Sequence, residues 1–394
     1  MRAMERPGRL PPMGWNSWNS LGPDVTEDQV LGNARALVET GLRDAGYRCV
    51  VVDDYWPARE RSAEGRLVAH PQRFPSGMAE LGRRLHEMGL LFGIYSDAAE
   101  LTCGKNPGSL GHEEQDARDF ADWGVDFLKY DFCHAPTDRE EAFRRYRRMA
   151  DALEATGRPI LFSICEWGAC SGYEWARAAG GHMWRTTLDL VEYWDYPRKH
   201  TNRGNSILTV LDLQEGLAGY AGPFGHNDMD MLLVGLNGRG ALASGLRFRE
   251  LAAGCTLEEY RTHMALWCMM SSPLMASCDL ASADADTLSI LGNPDLLAID
   301  QDPLCRPARR VLRGDGYDVY WKDMADGRPA VACLNRTDRM LRMKPPFAAL
   351  SDLTAACRLH DAWTHEIAGT TADTERILVE PHGCRVFRLE PLET

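Results

Sequence analysis

The sequence predicts an α/β protein: a (β/α)8 TIM barrel over residues 1–303, then a C-terminal antiparallel β-sandwich over 308–394. Three observations predict it. Apolar β-branched runs alternate with segments of helical spacing, eight strand-then-helix units in about 290 residues, which calls for a parallel sheet and closes a barrel with no unit left over. Six of the predicted strands end in charged residues. After Asp300-Gln301-Asp302-Pro303 the texture changes to short alternating runs split by turn signals such as Asp326-Gly327, a hairpin step.

In order, a short strand within 8–19 opens into the cluster Trp15-Asn16-Ser17-Trp18-Asn19. A helix follows over 26–42, with Thr26 as N-cap and Val30, Ala34 and Leu37 on one face. The run Cys49-Val50-Val51-Val52 is a strand ending in Asp53 and Asp54, and a helix over 76–89 leads to the strand 91–97. Helices at 113–122 and 138–155 flank the strand 126–132, and 159–167 is the fifth strand. A short helix near 173–179, a strand at 182–189, a helix within 205–219 and a strand at 225–232 continue the alternation. The segment 236–255 is longer than an ordinary connection and reads as an excursion on the active face. A helix at 257–271, a strand at 274–280 and a helix near 284–292 complete the barrel. The sandwich has few clustered ionisable residues, and its expected task is to cover the barrel.

The totals narrow the class. A net charge of -13 with no basic stripe argues against a nucleic-acid surface. No apolar run approaches the ~20 residues of a membrane span. The first residues, Met1-Arg2-Ala3-Met4-Glu5-Arg6-Pro7, show no signal-peptide pattern, which predicts a cytoplasmic protein, or a secreted one whose leader has been removed. The twelve cysteines form no CxxC pair and no zinc spacing. Cys49, Cys268 and Cys333 sit in apolar runs and read as small core residues, and few disulfides are expected.

On a barrel, the strand ends form one rim, which collects Trp18, Asp53, Asp54, Trp56, Tyr95, Asp97, Lys129, Asp131, Glu166, Arg185, Asp189 and Asp230. A lone Lys129–Asp131 pair would read as a structural ion pair. Six charged strand ends do not, because clustered carboxylates repel and cost folding energy. The chemistry suggested is that of a polyol: paired carboxylates accept from vicinal hydroxyls, Lys and Arg donate, and Trp faces stack on a sugar ring. Two carboxylates flanking an anomeric carbon suffice for glycoside cleavage. A divalent-metal site on Asp53, Asp54, Asp131 and Asp230 is the rival, and Lys129 and Arg185 among them argue against it. Neither metal nor cofactor is expected. No Gly-rich phosphate loop follows any strand.

The segments MGWNSW (13–18), DDYW (53–56), GIYSD (93–97), TCG (102–104), DFLKYDFC (126–133), CEWG (165–168), WRTTLD (184–189), NDMDML (227–232) and AIDQDPL (298–304) resemble glycoside hydrolase family 27, the α-galactosidases and α-N-acetylgalactosaminidases of clan D, over nearly the whole chain. The resemblance implies a barrel plus β-sandwich and a retaining exo-glycosidase acting on terminal α-D-galactosyl residues of an oligosaccharide or glycoconjugate. The protein is expected as a monomer or homo-oligomer. By resemblance Asp131 is the nucleophile and Asp189 the acid/base, with carboxyls about 5–5.5 Å apart. The sugar is held by Trp18, Asp53, Asp54, Tyr95, Lys129, Glu166, Arg185 and Asp230, with Trp56 beside them on the rim. Glu166 is expected at a free 2-hydroxyl, where N-acetylgalactosaminidases carry a small residue. Cys103 and Cys133 match a family disulfide. The same machinery on a β-L-arabinopyranoside or α-N-acetylgalactosaminide, or an idle galactose-binding protein, are the alternatives.

The chain departs from the family pattern at several places. Tyr55 stands where many relatives have cysteine, and Gly181 sits at the expected partner of Cys165. Leu188, His226 and Met229 replace a usual Gly, Trp and Pro. These changes, with the segment 236–255, bear on the leaving-group side.

Overall fold

The computed structural model describes residues 7–195, 204–240, 254–345, 347, 356–372 and 377–392. Eight strands form one parallel sheet: β1 (Met13–Asn16), β2 (Cys49–Val52), β3 (Leu91–Asp97), β4 (Phe127–Asp131), β5 (Leu161–Ile164), β6 (Met183–Arg185), β7 (His226–Asp228) and β8 (Leu274–Ala276). Consecutive strands pair from β1 to β7, and β8 pairs with β1. A parallel bridge between Leu232 and Ala276 joins the chain beyond β7 to β8 and closes the ring.

The pleat decides what points inward. Successive side chains alternate faces, and the residues of β2, β4, β5, β6 and β8 divide between two cores accordingly. Cys49, Val51, Phe127, Leu161, Met183 and Met275 pack together inside the barrel. Val50, Val52, Leu128, Tyr130, Phe162, Ile164, Trp184 and Leu274 pack outward against the helices. The inward row of β4 is therefore Phe127, Lys129, Asp131: floor first, then cation, then carboxylate at the rim.

The helices begin where the capping residues place them. Thr26 caps Glu27–Glu39, Asp138 caps Arg139–Ala155, and Thr256 with Glu259 forms a reciprocal capping box on Leu257–Met269. The helix expected near 173–179 is only a 3-10 turn at Gly172–Glu174. Its entry is fixed from outside, because the N–H groups of Cys170 and Gly172 donate to the Glu166 carboxylate. A further helix, Pro294–Asp300, is not among the expected elements, although Asn293 as N-cap with Pro294 at the first position is a sequence signal for one. Of the segment 236–255, residues 241–253 lie outside the described residues. Among the described residues no helix is long and apolar enough to cross a membrane.

The second module has strands β9 (Arg309–Arg313), β10 (Tyr317–Lys322), β11 (Ala330–Asn335), β12 (Leu341–Met343), β13 (Cys357–Asp361), β14 (Glu366–Thr370), β15 (Ile377–Val379) and β16 (Cys384–Pro391). Six form an antiparallel sheet in the order β14-β13-β16-β11-β10-β9, and β12 with β15 forms the opposing sheet. Asp326-Gly327 turns β10 into β11 as expected, with Gly327 at φ 74. The large sheet serves two cores. Val319, Trp321, Val331 and Cys333 pack within the sandwich, while Tyr320, Ala330, Ala332 and Leu334 join the barrel's core.

One expectation for this module fails. It does gather ionisable residues: Arg310, Arg313, Asp318 and Arg336 meet the barrel's Asp212 in one cluster. The partners lie about 100 residues apart in sequence, so no local spacing announces them.

Candidate active site

The rim of the barrel holds a pocket lined by Trp18, Asn19, Asp53, Asp54, Tyr95, Cys103, Lys129, Asp131, Trp167, Arg185, Asp189, Asp230 and Met231. Nine of the expected sugar-site and catalytic residues thus converge on one depression.

Asp131 and Lys129 stand on the same face of β4. Asp131 is buried, and the Tyr95 hydroxyl donates to its Oδ2 at 3.0 Å. Burial pushes the Asp131 carboxyl up to about 7, Lys129 pulls it back, and Asp189 and Asp53 push it up again. Lys129 Nζ donates to Asp53 Oδ2 at 2.7 Å and lies 5.2 Å from the Tyr95 ring centre. Burial would lower that ammonium, but Asp53, Cys165 and Asp131 together outweigh it and keep the group protonated.

The two consecutive carboxylates after β2 are fixed differently. Asp53 accepts from Lys129 and from Asn16 Nδ2 at 2.8 Å. Asp54 is a hub for the loop above β3: it accepts from Thr102 Oγ1 (3.0 Å), Asn106 Nδ2 (3.0 Å), Gly104 N (2.7 Å) and Tyr55 N (2.6 Å). A Cβ at Gly104 would sit 2.7 Å from Asp54 Oδ2, so glycine is what lets the loop approach. The same loop is stapled to the segment after Asp131 by the Cys103–Cys133 disulfide, as the resemblance implied. The donors of Asp97, Asp131, Cys103 and Cys133 lie within 4.8 Å of one another. Because the two sulfurs are joined, that cluster offers a cation only two carboxylates.

On the opposite wall, Arg185 is buried and its Nη2 reaches Asp189 Oδ1 at 3.1 Å and Asp230 Oδ2 at 3.0 Å. Asp230 sits at φ 79 and also accepts from Leu190 N at 2.7 Å, tying β7 to the segment that carries Asp189. Burial raises Asp230 and Arg185 pulls it back. The Asp189 side chain is 55% exposed, at the pocket mouth.

Two expected residues are placed elsewhere. Trp56 is fully buried, edge-on to Trp123 at 5.7 Å, with its N–H on Tyr95 O at 2.8 Å. Trp56 falls on the outward row of β2, with Val50 and Val52, and packs with them in the outer core. Glu166 is buried behind the wall, its Oε1 held by Gly172 N at 2.8 Å and its Oε2 by Cys170 N. A Cβ at Gly172 would lie 2.4 Å from that Oε1. The structure therefore does not bring Glu166 into the pocket, where a contact with a 2-hydroxyl was expected. Parity explains it: Leu161, Ser163 and Cys165 form the inward row of β5, so Glu166 faces away.

Residues missed by the sequence reading take that place. Trp167, at φ 57, lines the pocket, and the free Cys165 thiol lies 3.9 Å from Arg185 Nη1. Asn19 and Met231 are the other additions. Extending each strand's inward parity one residue beyond its end would have found Cys165. Of the departures, His226 is buried with its imidazole 2.8 Å from Gly8 O, and burial lowers it to about 4. Met229 is buried and Leu188 exposed.

Clustered carboxylates, one cation-backed and one half-exposed, with indoles beside them on the C-terminal rim of a (β/α)8 barrel, make this a glycoside hydrolase. The chain belongs to the α-galactosidase family: the family profile described as Alpha galactosidase A matches residues 10–302, and the Alpha galactosidase C-terminal beta sandwich domain matches 314–389. Alpha-galactosidase A of Cellvibrio japonicus is 38% identical over 98% of this chain and 93% of its own length. Alpha-galactosidase 3 of Arabidopsis thaliana is 39% identical over 97% and 82%. Among solved structures, alpha-galactosidase I from Mortierella vinacea superposes with a TM-score of 0.88 at 30% identity, covering 98% of both chains. The Saccharomyces cerevisiae α-galactosidase solved with raffinose gives 0.87 at 28% identity, again covering 98% of both.

Proposed function

We propose that the protein is a retaining exo-α-galactosidase that removes terminal α-D-galactosyl residues from oligosaccharides or glycoconjugates. Asp131 is the nucleophile and Asp189 the acid/base. The observation that carries this reading is the unlike setting of two carboxylates in one pocket. Asp131 is buried beside Lys129 and the Tyr95 hydroxyl, suited to a charge that attacks. Asp189 is half-exposed on Arg185, where a leaving group departs to solvent.

In the first step an Asp131 oxygen bonds to C1 while the glycosidic C–O bond breaks and the Asp189 proton passes to the leaving oxygen. In the second, Asp189 takes a proton from water, whose oxygen bonds to C1 as the glycosyl ester breaks. The charges agree with this order. A negative Asp189 is one of the groups that raise Asp131, so a proton on Asp189 favours the ionised nucleophile. Asp53, Asp54 and Lys129 would bind the 3-, 4- and 6-hydroxyls, and Trp18 the ring face. The names of the relatives, α-galactosidases at 38% and 39% identity, support galactose as the sugar.

The test is hydrolysis of aryl α-galactoside, α-N-acetylgalactosaminide, β-L-arabinopyranoside and α-glucoside, with the first-formed anomer read by NMR. Preference for the α-galactoside with α-galactose released first supports the proposal. An inverted first product overturns the mechanism. Preference for another sugar overturns the substrate and keeps the chemistry.

A further inference from the structure

Asp189 takes its place from the short strip of chain behind it. Its side chain is 55% exposed, and among the described residues its one ion-pair partner is Arg185, whose Nη2 is shared with Asp230. A carboxyl so lightly held sits where its backbone puts it. That backbone is bound along one edge to Asn205, whose N–H donates to Asp189 O at 2.8 Å and whose carbonyl accepts from Val191 N at 2.9 Å. Leu190 pairs with Asn205 there in an isolated parallel bridge. Two strands with no further support make only a marginal ladder in water.

Three residues on, Glu192 holds the strip from elsewhere. It is buried, and its carboxylate accepts from Gly238 N, 3.0 Å from both oxygens, and from the Tyr260 hydroxyl on Oε1. That hydroxyl accepts in turn from Asn237 N at 2.8 Å. Asn237 and Gly238 stand at φ 51 and 69, a turn in which successive N–H groups gather around an anion. A Cβ at Gly254 would lie 3.2 Å from Gly238 N, so the return of the segment 236–255 packs on the same turn. One carboxylate thus joins the strip after β6 to the turn after β7 and to the helix Leu257–Met269. Burial raises Glu192 above its usual range, and the Tyr260 hydroxyl and the N–H groups of Gly238, Cys255 and Asn237 offset part of that. All of these groups are donors. A glutamine in the same place would turn an NH2 toward at least one of them.

We infer that Glu192 is a positioning residue for the acid/base: its carboxylate clamps the strip that carries Asp189 to the turn at Asn237-Gly238, and so holds Asp189 within reach of the leaving oxygen. This rests on the role of Asp189 proposed above. A general acid works only within hydrogen-bond reach of the atom it protonates. A displacement of about 1 Å caused from outside the site can cost about 10²-fold in rate. Glu192 itself is turned away from the pocket and does not line it. Its effect on the reaction passes through Asp189, and the loss should follow how much the leaving group needs a proton.

The experiment measures kcat/KM, which reports the first step, of the full-length enzyme on α-galactosyl-glucose and on α-galactosyl fluoride. The sugar alkoxide must be protonated as it leaves, whereas fluoride departs as the anion. Glu192→Gln should lower kcat/KM about 10²-fold on the disaccharide and by less than about threefold on the fluoride. Turnover of the fluoride also reports the folded fraction. Tyr260→Phe keeps the carboxylate and its N–H partners and should lower the disaccharide value about fivefold with the fluoride value unchanged. It decides the matter where the glutamine variant does not fold. Asp189→Ala sets the scale, with the same selectivity and a larger loss. Equal losses on both substrates in the Glu192 and Tyr260 variants, or no loss on either, with Asp189→Ala selective, overturn this inference alone. Equal losses in Asp189→Ala overturn it together with the acid/base assignment beneath it.

Discussion

The rim of the barrel and its junction with the sandwich both bury carboxylates, and they handle them in opposite ways. At the junction, acids are matched by bases. Asp212 meets Arg336 at 2.7 Å and Arg310 at 3.3 Å, and Asp318 meets Arg336 at 2.7 Å. Burial works against the Asp212 charge, but the arginines outweigh it and hold the group below the usual carboxylate range. At the rim, acids outnumber bases, and burial pushes Asp131 to about 7, Asp228 to about 6 and Asp97 to about 9. A balanced cluster is what stability favours. An excess of one sign, kept at a folding cost, marks the place where a ligand or a reaction supplies the missing partners.

Four experiments break or sharpen that contrast. The largest effect is expected for Asp131→Asn, which should lower kcat by about 10⁴ or more while the melting temperature holds or rises, since a repelling charge is removed. A residual rate near normal would end the assignment of the nucleophile. At the junction the pattern should reverse: Arg336→Ala leaves buried Asp318 without its 2.7 Å partner and should cost about 2–3 kcal/mol in denaturant unfolding, with kcat within about twofold of normal.

Glu166→Gln sharpens the comparison within the rim. Its carboxylate accepts from two backbone N–H groups behind the wall, so the amide should cost about 1–2 kcal/mol of stability and move KM for an α-galactoside by less than about threefold. A tenfold rise in KM at constant kcat would place that carboxylate on the sugar. A further test is in pH. Folded Asp97 keeps its proton up to about 9, mostly through burial and then Asp131, whereas an unfolded Asp releases it near 4. The native state thus binds more protons across that window. Its contribution is complete below about 4 and is lost as pH rises through 9. The melting temperature should fall between pH 5 and 9, and Asp97→Asn should flatten the slope. An unchanged slope in the variant would remove Asp97 from the account.

Much of the barrel and its rim is legible in the sequence because strand parity is a local property. Phe127, Lys129 and Asp131 alternate with Leu128 and Tyr130, and the alternation alone puts a cation and a carboxylate on the barrel's inner rim. Parity carried past the strand ends also accounts for the two misplaced residues: Trp56 shares the outward row of Val50 and Val52, and Glu166 that of Phe162 and Ile164. What it does not reveal is the course of the chain at Tyr55 and Trp167, whose positive φ redirects the backbone beyond β2 and β5. The Asp212–Arg336 cluster is invisible for another reason: its members meet only after both modules have folded and docked.

The large sheet of the sandwich has a consequence for how this architecture can be cut. Alternate residues of β10 and β11 belong to different cores, Tyr320, Ala332 and Leu334 to the barrel's and Val319, Val331 and Cys333 to the sandwich's own. A boundary drawn along the chain near residue 303 is therefore not a boundary in packing. A barrel expressed alone would present the unmatched half of a hydrophobic core to water. A sandwich transplanted from a relative would have to bring the right residues on one face of its sheet, however well its other face was made. Recombination between such enzymes is then constrained by a single pleated surface.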